Sequence, residues 1–153
     1  MRRLIAVLAV LALSAAALAS LTAIASSATN KPATVKTGGS SLGRIVVDGK
    51  SHTLYLFQKD RHGKSACSGA CAQNWPPLLT NGAPKAGPGA KSSLLGTTKR
   101  SDGTTQVTYN NHPLYTFVAD NGKPGSTTGQ GVDAFGAKWY VVAAKGTARI
   151  GRY

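Results

Sequence analysis

His52-Thr-Leu-Tyr-Leu-Phe-Gln-Lys-Asp60 recurs, sixty positions on, as His112-Pro-Leu-Tyr-Thr-Phe-Val-Ala-Asp120. His, Leu, Tyr, Phe and Asp coincide, and upstream Val47 matches Val107. Each copy is followed by a Gly-Lys pair, Gly63-Lys64 or Gly122-Lys123, and then by a tryptophan, Trp75 or Trp139. Self-similarity at a fixed spacing is the mark of a repeat architecture. It predicts two related hairpin units packed about a pseudo-twofold. Tyr55 and Phe57 are two apart and leave the same face of a strand, as do Tyr115 and Phe117. Together with Trp75 and Trp139 they are the expected core aromatics, each able to bury about 150–250 Å².

Outward from this repeat the signals are strands and turns. Arg44 to Phe57 holds two β-rich runs around a glycine-containing turn, a hairpin pattern. Leu94–Thr98 and Thr104–Tyr109 flank Ser101-Asp102-Gly103 as a second hairpin. Asn110-Asn111 suits the positive φ angles of a tight turn and leads into Leu114–Val118, and Lys138–Val142 reads as a closing strand. Thr80 to Lys91, with two prolines and three glycines, reads as a loop. Only Cys67 to Asn74 suggests a helical turn, which Pro76 and Pro77 would end. The expected fold is mostly β: a small single domain of two pseudo-repeated β-hairpin units with one short helical turn near the Cys pair.

The N-terminus is different material. Met1-Arg2-Arg3 supplies a positive start, Leu4 to Leu21 carries no charge, and Ala23-Ile24-Ala25 fits a signal-peptidase site with cleavage before Ser26. Residues 1–25 are therefore read as a signal peptide, 26–41 as a flexible linker poor in side chains to bury, and 42–153 as the β domain. An uncleaved membrane anchor is the competing reading of the apolar run. After cleavage the chain is expected to be soluble, secreted or periplasmic at the cell envelope, with no transmembrane anchor.

The formal charge is +13, or +11 without Arg2 and Arg3, and there is no Glu. Such a balance favours salt-sensitive association with polyanions, here anionic envelope polymers or lipid headgroups. The basic residues are scattered, without a tract of five or aromatic interleaving. Nucleic acid is not an expected partner outside the cytoplasm.

The repeated residues also carry a family resemblance. Tyr55 to Asp60 and Tyr115 to Asp120 each spell Tyr-x4-Asp, and Ala66-Cys67-Ser-Gly-Ala-Cys71, Trp75-Pro76-Pro77-Leu78, Leu95-Gly96-Thr97, Gln106-Val107-Thr108-Tyr109 and Trp139-Tyr140-Val141-Val142 accompany them. With these motifs the chain resembles the bacterial secreted-repeat family of predicted lipoproteins, from about residue 43 to 144. The resemblance implies an extracytoplasmic address and no particular chemistry. Many such relatives carry a lipid-anchoring Cys after the signal; this chain has none there.

Each candidate site has a structural alternative. Asp60 and Asp120 begin glycine-containing turns, where Asp accepts hydrogen bonds from backbone N–H groups a few residues on. A sharper alternative has the two carboxylates converging on a cation. Cys67 and Cys71, the only cysteines, form a disulfide in an oxidising compartment. In a regular helix their Cα atoms would be about 6.2 Å apart, within reach of a bridge. Cys-x3-Cys is also a spacing used to hold copper, with His52, His62 or His112 as a further ligand. The equivalent positions of His52 and His112 suggest a shared local hydrogen bond. No Gly-x-Ser-x-Gly or Cys-x-x-Cys-His occurs, and a His-Glu-x-x-His motif is impossible without Glu. No catalytic residue, metal or cofactor is expected. The sequence thus reads as an exported non-enzymatic module that binds or builds at the envelope, with a redox or copper protein using Cys67 and Cys71 as the alternative. Its oligomeric state is not legible.

Overall fold

The computed structural model of the chain describes residues 31–150. Nine short strands dominate: β1 (Thr34–Ser40), β2 (Gly43–Asp48), β3 (Tyr55–Phe57), β4 (Lys85–Ala86), β5 (Leu95–Lys99), β6 (Thr105–Tyr109), β7 (His112–Pro113), β8 (Asp133–Ala134) and β9 (Ala137–Val141). Among the described residues one helix, α1 (Ala70–Asn74), follows the first cysteine, and single 3₁₀ turns occupy Ser92–Leu94 and Val118–Asp120. The strands form three small sheets in the orders β2-β1-β4, β3-β9-β8 and β5-β6-β7. The mostly β class and the helical turn near the cysteines agree with the sequence.

The linker differs from its expectation. Among the described residues the first strand starts at Thr34, within that segment, because β1 pairs antiparallel with β2 from Val35↔Asp48 to Ser40↔Gly43. The segment has few apolar residues, yet Val35 and Thr37 alternate inward and Val35 is fully buried. That alternation is enough for a strand whose backbone donors are met by a partner. The proposed signal peptide and cleavage site lie outside the described residues. The Thr80–Lys91 loop also contributes β4, parallel to β1 through Thr34↔Lys85 and Val35↔Ala86. Of the run Leu114–Val118, only the preceding His112–Pro113 is strand; Tyr115 instead makes isolated bridges to Tyr55 and Pro77.

The turns follow their residues. Asn110 and Asn111 both take positive φ (49° and 62°) in the tight β6–β7 connection, as asparagine tolerates. A hairpin the sequence reading missed joins β8 to β9 through Phe135 and Gly136, both also at positive φ. Phenylalanine is an unusual residue for that conformation, which hid the turn.

The two repeats are interlocked rather than side by side. Val46 N–H donates to Val142 O, Val142 N–H to Leu54 O, and Leu54 N–H to Val46 O, at 2.8, 3.0 and 3.1 Å. The second repeat reproduces this ring with Val107, Leu78 and Leu114, at 2.8, 2.9 and 3.0 Å. In each ring the third segment, the one following the tryptophan, comes from the other repeat. β9 likewise pairs with β3 rather than with its own repeat's tyrosine segment. Tyr55 and Tyr115 exchange backbone bonds of 2.8 and 3.0 Å across the centre.

Burial on both faces explains the continuous apolar runs. Ile45, Val47, Tyr55, Phe57 and Val141 enter one cluster, while the alternating Val46, Leu54, Leu56 and Val142 enter another. The period of two is therefore preserved, with a core on each side of the sheet.

Candidate functional site

The repeated aromatic residues build one column. Phe57 stacks on Trp139 (centroids 4.0 Å, 7°), Trp139 on Trp75 (4.0 Å, 4°), and Trp75 on Phe117 (3.9 Å, 15°). The order alternates between repeats and reads the same from either end. Tyr55 meets Trp75 edge-on at 5.3 Å, and Tyr115 meets Trp139 edge-on at 5.1 Å. Tyr55, Phe57, Trp75, Tyr115 and Trp139 are buried, whereas Phe117 is half-buried and caps the column. Edge and stacked pairs of this kind add about 0.5–1.5 kcal/mol each beyond area burial. Gly129 is required beside it: a Cβ there would lie 2.7 Å from Trp75 Cη2 and 2.8 Å from Tyr55 Cε1.

The tyrosine hydroxyls cross the axis. Tyr55 Oη donates to Asp120 Oδ2 at 2.7 Å, and Tyr115 Oη donates to Asp60 Oδ2 at 2.9 Å. Each Tyr of one repeat is therefore held by the Asp of the other, a pairing the linear sequence does not display. Burial, then the neighbouring carboxylate, holds both phenols well above their ordinary range. Both hydroxyls remain protonated donors.

Around this core the two aspartates are treated differently. Asp120 accepts three further bonds at Oδ1, from Ser126 Oγ (2.8 Å), Thr128 N–H (3.1 Å) and Thr128 Oγ1 (2.6 Å). Asp60 accepts one, from Ala66 N–H at 2.8 Å. Burial pushes the Asp60 carboxyl up to about 6, against the pull of the Ala66 amide, the Tyr115 hydroxyl and the Arg100 and Arg61 charges. The expected backbone bonds to Asp are thus present, with the tyrosine bonds in addition. Among the described residues no three His, Cys, Asp or Glu side chains are placed to hold a metal ion.

Arg100 supplies what the first loop lacks, and the sequence reading missed it. Its guanidinium is buried and donates to Ser65 Oγ (2.9 Å), Gln106 Oε1 (2.7 Å) and Cys67 O (2.7 Å). Gln106, fully buried, passes its own amide to Leu114 O at 2.8 Å. A long polar side chain within β6 was the available signal, since buried polar groups must find partners.

Cys67 and Cys71 form a disulfide with Cα atoms 5.3 Å apart. The separation is shorter than for a regular helix because only Cys71 lies in α1, which starts at Ala70. Both cysteines are buried. The bridge pins the turn before Trp75, whose N–H closes on Cys71 O at 2.8 Å.

The two histidines do not share a hydrogen bond. His52 Nδ1 pairs with Asp48 Oδ2 at 3.0 Å, and Asp48 Oδ1 also accepts from Lys50 and His52 N–H. Thr108 replaces Asp48 in the second repeat, and burial alone holds His112 below the ordinary imidazole range.

A family model described as a secreted repeat of unknown function matches residues 36–79 and 96–143, more than half of the chain. The chain belongs to that family. Each matched stretch of this secreted-repeat protein runs from within its first strand through the Tyr and Asp residues to the segment after the tryptophan. The family boundaries therefore coincide with the structural repeat, including the segment exchanged with the other copy. No curated protein and no solved structure matches the chain. Among the described residues no helix is long and apolar enough to cross a membrane.

Proposed function

We propose that this secreted-repeat protein is an exported, non-enzymatic module that binds anionic material at the cell envelope. Its signal peptide would be removed before Ser26, leaving it in the periplasm or the medium without a membrane anchor. One observation carries the reading: the residues that the repeat singles out are spent on each other. Tyr55 is closed on Asp120, Tyr115 on Asp60, and the six aromatic rings on one another. The repeated motif thus serves to join the halves, and recognition falls to the surface. That surface carries a formal +11 once Arg2 and Arg3 are gone, which attracts anionic polymers or lipid headgroups over a Debye length of about 10 Å at 0.1 M salt. The copper reading needs Cys67 and Cys71 as free thiolates, and the redox reading needs a sulfur that a partner thiol can reach; here the two sulfurs are bonded to each other and buried.

The test is co-sedimentation of the processed chain with envelope fractions, from about 0.05 to about 0.5 M salt. Retention at low salt and release at high salt is expected. Retention indifferent to salt, or none at all, overturns the proposal.

A further inference from the structure

One sheet edge is covered in the first repeat and open in the second. Thr37 of β1 lies opposite Val46, and Thr97 of β5 lies opposite Val107, the two valines being matching members of the two rings. β1 and β5 are therefore counterparts. On β1 the groups turned away from β2 are taken up by the connector between the repeats. Lys85 N–H donates to Ala33 O at 2.8 Å, Gly87 N–H to Val35 O at 2.7 Å, and Thr37 N–H to Pro88 O at 2.9 Å. The stretch after the second tryptophan gives β5 no such cover. It folds back on β9, where Arg149 N–H donates to Val141 O at 2.7 Å.

The bonds at the two ends of the β5–β6 ladder show which groups of β5 are free. Asn110 N–H donates to Leu94 O at 2.7 Å and Arg100 N–H to Thr104 O at 3.0 Å, so the even-numbered residues face β6. In an antiparallel ladder the alternate residues, Leu95, Thr97 and Lys99, then turn their backbone groups outward. Leu95 N–H closes on Ser92 O. Leu95 O, both backbone groups of Thr97, and Lys99 N–H have no partner among the described residues. Thr97 and Lys99 are exposed and Leu95 is half-buried. Edges are ordinarily blocked by proline, a bulge or a charge. Leu95-Gly-Thr-Thr-Lys99 has no proline, pairs with β6 in unbroken register, and carries its one charge at the end.

We propose that the open edge of β5 pairs with the same edge of a second copy of this chain, antiparallel, about a twofold axis at Thr97. A row of peptide donors and acceptors is satisfied by another peptide backbone, and this row is its own complement. In that register Thr97 N–H donates to Thr97 O of the second copy and Lys99 N–H to its Leu95 O, each bond with its reciprocal. Two three-stranded sheets become one. Self-complementary pairing of this kind closes a symmetric dimer. Lys99 stands opposite Leu95, and the two Lys99 Cα atoms lie about 14 Å apart by strand geometry, beyond the Debye length of about 8 Å at 0.15 M salt. Elsewhere the copies repel, each at a formal +11 without Arg2 and Arg3. A five-residue edge is also small beside the roughly 1,200–2,000 Å² of stable interfaces. The dimer is accordingly reversible, and both concentration and salt favour it. It does not rest on polyanion binding, which salt opposes.

The test is analytical ultracentrifugation of the disulfide-bonded chain from residue 26, from about 10 µM to about 1 mM, above the micromolar range where full-sized interfaces begin to hold. A monomer–dimer equilibrium is expected, tightening about threefold or more between about 0.05 and about 0.5 M salt. The Thr97 and Lys99 amides should exchange freely in dilute solution and slow roughly tenfold in concentrated solution, with Gly96 and Thr98 protected in both. Thr97→Pro removes an N–H that β6 does not use, and should weaken the dimer roughly tenfold with little change in the thermal melt. Thr97→Lys sets like charges directly opposite and should weaken it about threefold, so the proposal stays testable if the proline variant does not fold. Oxidised Thr97→Cys should yield a covalent dimer, because residues facing each other in this register have Cα atoms about 5.5 Å apart, within disulfide reach. Lys145→Cys, exposed elsewhere, should not. A monomer at every concentration, or free exchange at Thr97 and Lys99 throughout, would overturn the proposal. So would a dimer that both Thr97→Pro and Thr97→Lys leave intact, or one that rising salt dissolves.

Discussion

The loops that follow Asp60 and Asp120 occupy equivalent places and are held by different means. After Asp120, the chain folds back on the carboxylate, which takes donors from Tyr55, Ser126 and Thr128. After Asp60, the carboxylate takes only the Ala66 amide and Tyr115, and the loop is tied by the Cys67–Cys71 bridge and by Arg100. One duplicated architecture thus tolerates two solutions: a saturated buried carboxylate, or a covalent tie beside an under-coordinated one. What both retain is the cross-repeat tyrosine bond and the aromatic column, which marks these as the demands of the shared fold.

The sharpest way to break the comparison is at the aspartates. Asp120→Ala strips the acceptor from four donors, including the buried Tyr55 hydroxyl, and is expected to cost about 3–5 kcal/mol in urea unfolding. Asp60→Ala removes two bonds and relieves a poorly solvated charge, so about 1–2 kcal/mol is expected. Equal losses would show that the two loops lean on their carboxylates alike. Next in size is the bridge. Cys67→Ala/Cys71→Ala should cost about 2 kcal/mol on the chain-entropy model, and amide exchange should quicken over residues 61–74 while 121–136 stays protected. Quickening in both loops would show them to be one cooperative unit.

The remaining effect is in the pH dependence. Asp60 has its carboxyl raised from 3.8 to about 6 on folding, chiefly by burial. The folded chain therefore holds more protons than the unfolded chain between those values. Its contribution to stability is fully present below about 4, is lost as the pH rises to about 6, and is constant above that. Asp60→Asn removes this dependence, so the variant should gain on the parent across that window in thermal melts. A parallel pair of curves would place the titration elsewhere.

Much of this was legible from residue order. The spacing of the two His-x-Leu-Tyr-x-Phe runs disclosed the duplication, and alternation along Tyr55, Phe57, Tyr115 and Phe117 disclosed the aromatic core. Asn110-Asn111 disclosed its turn. Where the reading stopped short, the cause was long-range pairing. Thr34–Ser40 looks like linker because only Val35 is strongly apolar; its status as a strand is conferred by β2. The crossing of Tyr55 to Asp120 spans the chain, and each motif taken alone shows only a Tyr and a nearby Asp. Gln106 lies in an ordinary polar strand pattern and Arg100 just past the end of β5, and their burial follows from packing against the Cys67 loop.

The exchange of the last strands also sets a schedule. Val142 supplies the third edge of a ring whose other members, Val46 and Leu54, appear some ninety residues earlier. A chain emerging N-terminus first cannot complete its opening half until nearly its last residues arrive. Such non-local closure slows folding, and here it keeps the first repeat open until the second has been made. The same interlock that fastens the finished protein postpones its fastening until both halves exist.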